Sequence, residues 1–420
     1  DYADFAILYR TNAQSRILEE ALRKKGIPYK IYGGLSFYQR KEVKDVISYL
    51  RLIVNPHDEE AFKRVINYPA RGIGDTTLNK LVVAATDHNV SLWTVLNDPI
   101  GYALPVNNGT AKKLSDFREL ISGFIERNVK LSAEEIAAAV VKESGIVSTL
   151  FQDRSVEGIS KQENLQELLK GIAEFCEIRR EEGTEHVSLA DFLSEVSLLT
   201  DQDNDKEEQA NKVTMMTVHA AKGLEFRNVF VVGLEEDLFP SAMSKDNPRA
   251  VEEERRLFYV AITRAEENCV LTHARSRYRN GQSTMCSPSR FLKDIDPKYI
   301  YTSADAVTTN GLLATRRSSV FQQPKAMEGE AYVSPVAQAV GRQARLTRME
   351  TASLSSAPSS SSAPALSGLH VGAKVRHDRF GEGEVTAIEG EGGNAKATVS
   401  FAHFGQKQLL LKFARLTIVE

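Results

Sequence analysis

The chain has 420 residues, enough for two or three domains, with 42% hydrophobic content and ordinary charge for a globular protein. Its formal net charge of -3 supplies no global basic field, so any nucleic-acid site has to be a local patch. Cys176, Cys269 and Cys286 show no metal-ligand or disulfide spacing, which fits a reducing cytoplasm. No apolar run approaches the ~18 residues of a membrane span and no signal peptide is recognisable. The chain opens on Asp1 without a methionine and enters a strand-like run at once, so we expect a piece of a longer protein.

Phe5 to Tyr9 is a short continuous apolar run, the pattern of a strand buried on both faces. A helix is expected from Ala13 to Lys25, stopped by Gly26, and a second strand from Ile27 to Tyr32. That βαβ opening predicts a parallel sheet. From Leu35 to Glu208 helical periodicity takes over, as in Val43, Val46, Ile47, Leu50 and Ile53. The acidic run from Asp201 to Glu208 reads as a solvated loop. Strand character returns at Val213 to Val218, Val229 to Gly233 and Cys269 to Thr272, so the helical block reads as an insertion within an α/β domain. Residues from Thr302 to Gly368, with four consecutive serines, read as a disordered linker. The last ~50 residues predict strands at Ala373 to His377, Glu384 to Ile388, Ala395 to Phe401 and Gln408 to Phe413, hence a small SH3- or Tudor-like barrel with Phe380, Phe401 and Phe404 filling it.

Three stretches carry candidate chemistry. Between the helical stretches Ala61 to Asn67 and Thr77 to Ala85 lies Arg71-Gly72-Ile73-Gly74-Asp75-Thr76. A glycine hairpin there lets backbone amides approach a phosphate near a helix N-terminus and grip duplex DNA without reading its sequence. The alternative is a plain helix–helix turn with Asp75 or Thr76 as N-cap. The second stretch, Thr217 to Phe226, follows one buried strand and precedes another, where an open parallel sheet forms its ligand crevice. Thr217, His219, Lys222 and Glu225 would crowd there, with donors for a phosphodiester and an acceptor for a ribose hydroxyl; otherwise His219 and Lys222 are exposed loop residues. The third, Glu252 to Ala265, reads as one helix with Arg256, Val260 and Arg264 on a single face, roughly 12 Å end to end. Leu257, Val260 and Ala261 would pack. Arg264 is a candidate finger for a transferred phosphoryl group, and a decorated surface helix of Glu/Arg pairs is the other reading.

Val229 to Asp237 imitates the acidic strand end that holds Mg²⁺ in nucleotide hydrolases. The chain has no Gly-Lys dipeptide and so no GxxxxGK[ST] loop, which removes that reading. Trp93 reads as core, and His57, His88 and His186 lack ligand spacing.

The stretches TVHAAKGLEF, VVGLEEDLFP, EEERRLFYVAITRA and PSRFL, with FAILYRTNAQSR and IYGGLSFYQRKEVKDVISYLRLI at the start, resemble the C-terminal half of superfamily 1A DNA helicases of the UvrD/Rep/PcrA group, its Gram-positive PcrA branch above all. The resemblance covers about residues 1–295 and 369–420. It implies a second RecA-like motor domain (2A) from 1–34 and 208–295, a helical insertion (2B) at 35–207, a linker at 296–368 and a Tudor-like domain at 369–420. It further implies an ATP-dependent 3′-to-5′ DNA helicase and translocase of repair and replication, cytoplasmic and nucleoid-associated. Arg264 matches the family's arginine finger, and Gly223 and Glu225 the nucleotide side, with Glu225 on the ribose. Thr217 and His219 match positions near single-stranded DNA. Arg71, Gly72, Ile73, Gly74 and Thr76 match the duplex-binding hairpin. The Tudor-like tail docks RNA polymerase in that group. The phosphate loop, the Mg²⁺-binding acids and the adenine-stacking residues of the ATP·Mg²⁺ site belong to an N-terminal half, the expected partner, and without it the fragment would be inactive. A non-catalytic DNA-binding module and a polymerase-interaction module are the alternatives.

Overall fold

A computed structural model describes residues 1–203, 211–279, 282–301, 369–377, 380–390, 395–402, 405–414 and 416–419. Most of the expected linker, 302–368, lies outside them, as do 204–208 of the acidic run and Phe404; the start of that run, 201–203, continues a helix rather than the expected loop.

Five parallel strands form the sheet anticipated from the opening βαβ pattern. β1 (Phe5–Tyr9), β2 (Tyr29–Ile31), β3 (Val213–Thr217), β4 (Phe226–Val231) and β5 (Ala265–Leu271) lie in the order β2-β3-β1-β4-β5. The first apolar run forms the central strand: β1 pairs β3 on one side and β4 on the other, Tyr9 beside Thr217 and Phe5 beside Asn228. Ala6, Leu8, Met216, Val229 and Val231 are buried in one apolar cluster with Phe239, Phe258 and Phe291. Helix α1 (Ser15–Lys24) links β1 towards β2.

The inserted block is helical, from α2 (Lys41–Val54) and α3 (Glu59–Val65) through α4 (Asp75–His88), α5 (Leu92–Asn97), α6 (Asn108–Asn128), α7 (Ala133–Glu143) and α8 (Ile146–Gln152) to α9 (Val156–Glu181) and α10 (Leu189–Asp203). It has its own core, in which Phe62 meets Phe117 edge-on at 5.9 Å and Trp93 is buried. A polar seam joins it to the sheet. Arg16 on α1 is buried and binds Glu167 and Glu174 of α9 as well as Glu20. Gly171 lies under its guanidinium, where an added Cβ would sit 3.0 Å from Cζ. Arg40, equally buried, donates to Asn12 O, Ser15 Oγ and Asn164 Oδ1.

After β5 come a hairpin of β6 (Ser276–Arg279) and β7 (Gln282–Met285) and the segment 288–295, whose Phe291 seals the sheet's core. The second compact unit, 296–367, is described only for residues 296–301, which hold a 3₁₀ turn at Pro297–Tyr299. The C-terminal strands β8 (Lys374–His377), β9 (Gly381–Glu389), β10 (Lys396–Phe401), β11 (Gly405–Leu410) and β12 (Leu416–Ile418) form an antiparallel sheet in the order β11-β10-β9-β8-β12. Val375, Val385, Ala397, Val399 and Phe401 fill it, and Phe380 packs on Phe401 and on the His377 ring. β12 was not anticipated, because Leu416-Thr417-Ile418 is too short to register as an alternating run.

Candidate functional site

The helix that carries the arginines, α11 (Pro248–Ile262), starts under an Asn247 cap with proline at its first position. It stops before Arg264. Thr263 caps it, its Oγ1 donating back to Tyr259 O at 3.0 Å, and the chain turns directly into β5. The single arginine face expected from 252–265 therefore does not form. Arg256 is exposed and pairs with Glu253, as Arg255 pairs with Glu252, in the manner of a decorated surface helix. The buried stripe is Glu254, Phe258 and Ala261. Phe258 stacks on Phe291 at 5.8 Å and meets Phe239 edge-on at 6.0 Å, which fixes α11 against the sheet.

Arg264 is half-buried and folded back. Its Nε donates to Val260 O at 3.1 Å, Nη1 to Leu224 O at 3.0 Å and Nη2 to Thr263 Oγ1 at 3.2 Å. Its carbonyl accepts from Phe226 N at 2.9 Å, so the start of β5 and the start of β4 are stitched together around it. Glu225 is exposed beside this knot. Gly223 has φ +86°, a left-handed value that glycine adopts without strain, and it lets the loop turn into Leu224. Gly223, Glu225 and Arg264 are thus brought together.

Thr217 and His219 are not with them. Residues 218–225 run as consecutive tight turns, Ala221 N bonding Val218 O at 3.2 Å and Leu224 N bonding Ala221 O at 3.1 Å. They carry the chain from the carboxyl end of β3, level with Tyr9, to the amino end of β4. The stretch read as one crowded crevice is a crossover, with Thr217 and His219 at the carboxyl edge of the sheet and Gly223 and Glu225 at the amino edge. Thr217 Oγ1 holds Ala220 N at the carboxyl edge. His219 is exposed there, and its pKa is lowered, first by partial desolvation and then by the Arg10 charge nearby. Lys222 is an exposed loop residue.

Two residues at this edge escaped the sequence reading. Arg10, just past β1, donates Nε to both carboxylate oxygens of Glu254, at 2.9 and 3.1 Å, and Nη2 to Oε1 at 2.5 Å. Glu254 could have been found as a carboxylate at a core position of the i, i+4, i+7 stripe.

The acids after β4 form no metal site. Buried Glu235 accepts from Arg277 and from Ala274 N, and Glu236 accepts from Arg290. Among the described residues no group of three or more His, Cys, Asp or Glu side chains could hold a metal ion.

The glycine hairpin lies between α3 and α4, beside Lys113 of α6 and Ser144. Gly72 has φ +69°, Ile73 is buried as an anchor, and Asn67 Oδ1 accepts from the amides of Arg71 and Ile73, both at 3.0 Å. Arg71 turns inward: Nη1 donates to Val65 O and Tyr68 O, and Nη2 to Tyr49 Oη and Ser144 O. Its guanidinium shapes the hairpin from behind. Gly74, not Asp75 or Thr76, is the N-cap of α4, and no side chain caps that end. Exposed Gly72, Gly74 and Thr76 therefore surround an open helix N-terminus, and Lys113 Nζ, bonded to Gly72 O at 3.2 Å, adds a cation that sequence spacing does not reveal.

Residues 1–276 match the family model of the UvrD-like helicase C-terminal domain, and residues 371–417 match that of the PcrA/UvrD tudor domain. The ATP-dependent DNA helicase PcrA of Staphylococcus epidermidis is 36% identical over 99% of this chain and 52% of its own length. DNA helicase II of Escherichia coli is 36% identical with the same coverage, and the PcrA helicase of Staphylococcus aureus is 38% identical over 98% of this chain and 52% of its own. Those identities do not separate the PcrA branch from its sister. The chain spans about half the length of the curated relatives it matches. With its five-stranded parallel sheet, its helical insertion and its terminal antiparallel sheet, the chain belongs to the family of UvrD-like helicase C-terminal domains.

Proposed function

We propose that the chain works as the C-terminal half of an ATP-dependent 3′-to-5′ DNA helicase and translocase of repair and replication, in the cytoplasm at the nucleoid. The single observation that carries this reading is the knot at the amino edge of the sheet, where Arg264 is held over Leu224 beside exposed Glu225. A guanidinium and a ribose acceptor side by side make one wall of a nucleotide site, and the phosphate cradle would come from an N-terminal motor half. Mg²⁺ would neutralise charge on the phosphates there; this chain contributes Arg264, Glu225 and the Gly223 turn. Arg264 stabilises charge on the γ-phosphoryl oxygens as the two halves close.

Residues 1–34 and 208–295 serve as motor domain 2A and residues 35–207 as insertion 2B, with 296–368 as linker. Thr217 and His219 face single-stranded DNA at the carboxyl edge. The hairpin takes a duplex phosphate on the amides at the start of α4, with Gly72, Gly74 and the Thr76 hydroxyl closest and Arg71 and Ile73 holding its shape. The terminal sheet, matched as a tudor domain, recruits RNA polymerase. No helix among the described residues is long and apolar enough to cross a membrane.

The test joins this chain to a motor half carrying a phosphate loop. Arg264→Ala should lower ATP turnover by about 10³-fold and leave nucleotide binding within a few-fold. Near-normal turnover would sink the assignment, as would hydrolysis by the isolated chain.

A further inference from the structure

The buried stripe of α11 has one member that packing does not require. Phe258 and Ala261 seat the helix, whereas Glu254 brings a charge into the interior with only 7% of its side chain exposed. A buried ion pair rarely stabilises more than apolar side chains of the same volume. Its distinctive contribution is direction. Glu254 holds Arg10 through Nε and Nη2, and Ser244 Oγ reaches Glu254 Oε1 at 3.5 Å. Arg10 Nη1 has no hydrogen bond among the described residues, and the side chain is 21% exposed. The guanidinium, fixed by Glu254 on one flank and within the field of the Glu163 carboxylate of α9, stands beside His219, which feels the charges of both Arg10 and Glu254.

Helix α11 runs antiparallel to β4 and β5, from the carboxyl edge back to the amino edge. Glu254 sits at its middle, and Ile262, its last residue, lies ~12 Å further along the axis. Arg264 is tied to the last turn through Val260 O. The helix therefore carries Arg10, with His219 beside it, at its middle and the folded-back finger at its end.

We infer that Glu254 is a positioning residue that couples occupancy of the Arg10–His219 edge by an anionic strand to the placement of Arg264, with α11 as the rigid connection. A phosphate drawn to Arg10 Nη1 shifts the guanidinium, the bidentate grip passes the shift to α11, and Arg264 moves with the last turn. The inference rests on the proposed reading, in which the carboxyl edge faces DNA and Arg264 faces the nucleotide.

The experiment uses the chain itself with oligothymidylate as the probe, read by fluorescence anisotropy and by hydrogen exchange across residues 258–265. Strand binding should slow exchange there in the wild type and in Glu254→Asp. In Glu254→Gln, saturating oligonucleotide should leave that segment's exchange unchanged. Because Glu254→Gln strands a buried guanidinium, Arg10→Met/Glu254→Leu serves as the second variant: it should melt near the wild-type temperature and still lose the response. In the chain joined to its motor half, Glu254→Gln should lower the ratio of strand-stimulated to strand-free turnover about tenfold, restored by Glu254→Asp. The inference is overturned if either uncoupled variant responds like the wild type. It is also overturned if the ratio falls only in step with melting temperature and Glu254→Asp does not restore it. Absence of any oligothymidylate binding by the wild type, or full turnover in Arg264→Ala, removes the underlying reading and this inference with it.

Discussion

Arg71 shows how residue type alone misplaces a role. A basic residue beside a glycine hairpin reads as a phosphate contact, yet four backbone carbonyls and the Tyr49 hydroxyl claim its guanidinium. Replacing it with methionine leaves several part-buried acceptors unpaired, so Arg71→Met should destabilise the helical block by about 2–3 kcal/mol. Lys113→Ala should instead weaken duplex binding with little change in stability. Thermal melts and electrophoretic binding of a DNA duplex separate the two. Glu235 gives a pH signature. Burial alone would raise its pKa, but the Arg277 hydrogen bonds and the Ala274 amide outweigh that and hold it below the ordinary 4.5. A carboxylate depressed in the fold stabilises the protein above its unfolded value and loses that contribution as pH falls through its folded one. The stability gap between wild type and Glu235→Gln should therefore be full at pH 7 and shrink below about pH 4.5, measured by urea melts. Of the candidate residues, Gly223 and Glu225 share one short turn, whereas Arg264, 40 residues away from Leu224, meets that turn only where β5 pairs with β4. Arg10 and Glu254 were not legible, since 244 residues and the whole insertion lie between them.

At the scale of elements, apolar runs located the inner strands β1, β3 and β4, whose buried positions need apolar residues, while the edge strands β2 and β5 are exposed to half-buried and carry polar residues as well. Their ends were less legible. β5 begins at Ala265, several polar residues before the apolar Cys269 to Thr272 core, since pairing with β4 rather than burial sets its length. The end of α11 is decided by Thr263, a threonine whose hydroxyl competes for the last carbonyls. One glycine in the terminal sheet is testable at this scale. A Cβ on Gly383 would stand 2.6 Å from Phe401 Cδ1 and 2.8 Å from Ser400 O, where Gly383 of β9 pairs with Phe401 of β10. Gly383→Ala should cost that sheet about 1–3 kcal/mol, leaving the parallel sheet untouched. Proteolysis confined to the C-terminal segment would report it, and an equally early loss of the N-terminal region would contradict it.

Across the whole molecule, the seam between sheet and insertion rests on a few buried polar groups rather than a broad apolar face. Arg16 serves three carboxylates from two elements at once. Removing that one cation leaves Glu167 and Glu174 with only the longer contacts to Lys170, at 3.9 and 3.5 Å, a loss of about 3 kcal/mol, the low end for breaking a buried pair. Arg16→Met should split a single calorimetric unfolding transition into two, the helical block and the sheet melting apart; one unchanged transition would show that other contacts bind them. Such a seam is invisible to periodicity, which reports what each element buries but not which element it meets. The insertion itself was legible because its helical pattern interrupts strands that need one another.

One contrast among the arginines has a kinetic consequence. Arg10, Arg16, Arg277 and Arg290 are each gripped by carboxylates, while the groups holding Arg264 are two peptide oxygens and a hydroxyl. Leaving a carboxylate in a half-buried setting is slow and costly; leaving neutral oxygens for a phosphate replaces each lost bond with a stronger one. The resting hold on Arg264 therefore keeps the side chain ordered without becoming a competing anion. Swapping the one side-chain hold for a charged one, as a Thr263→Asp substitution would, should convert a reversible rest into a trap.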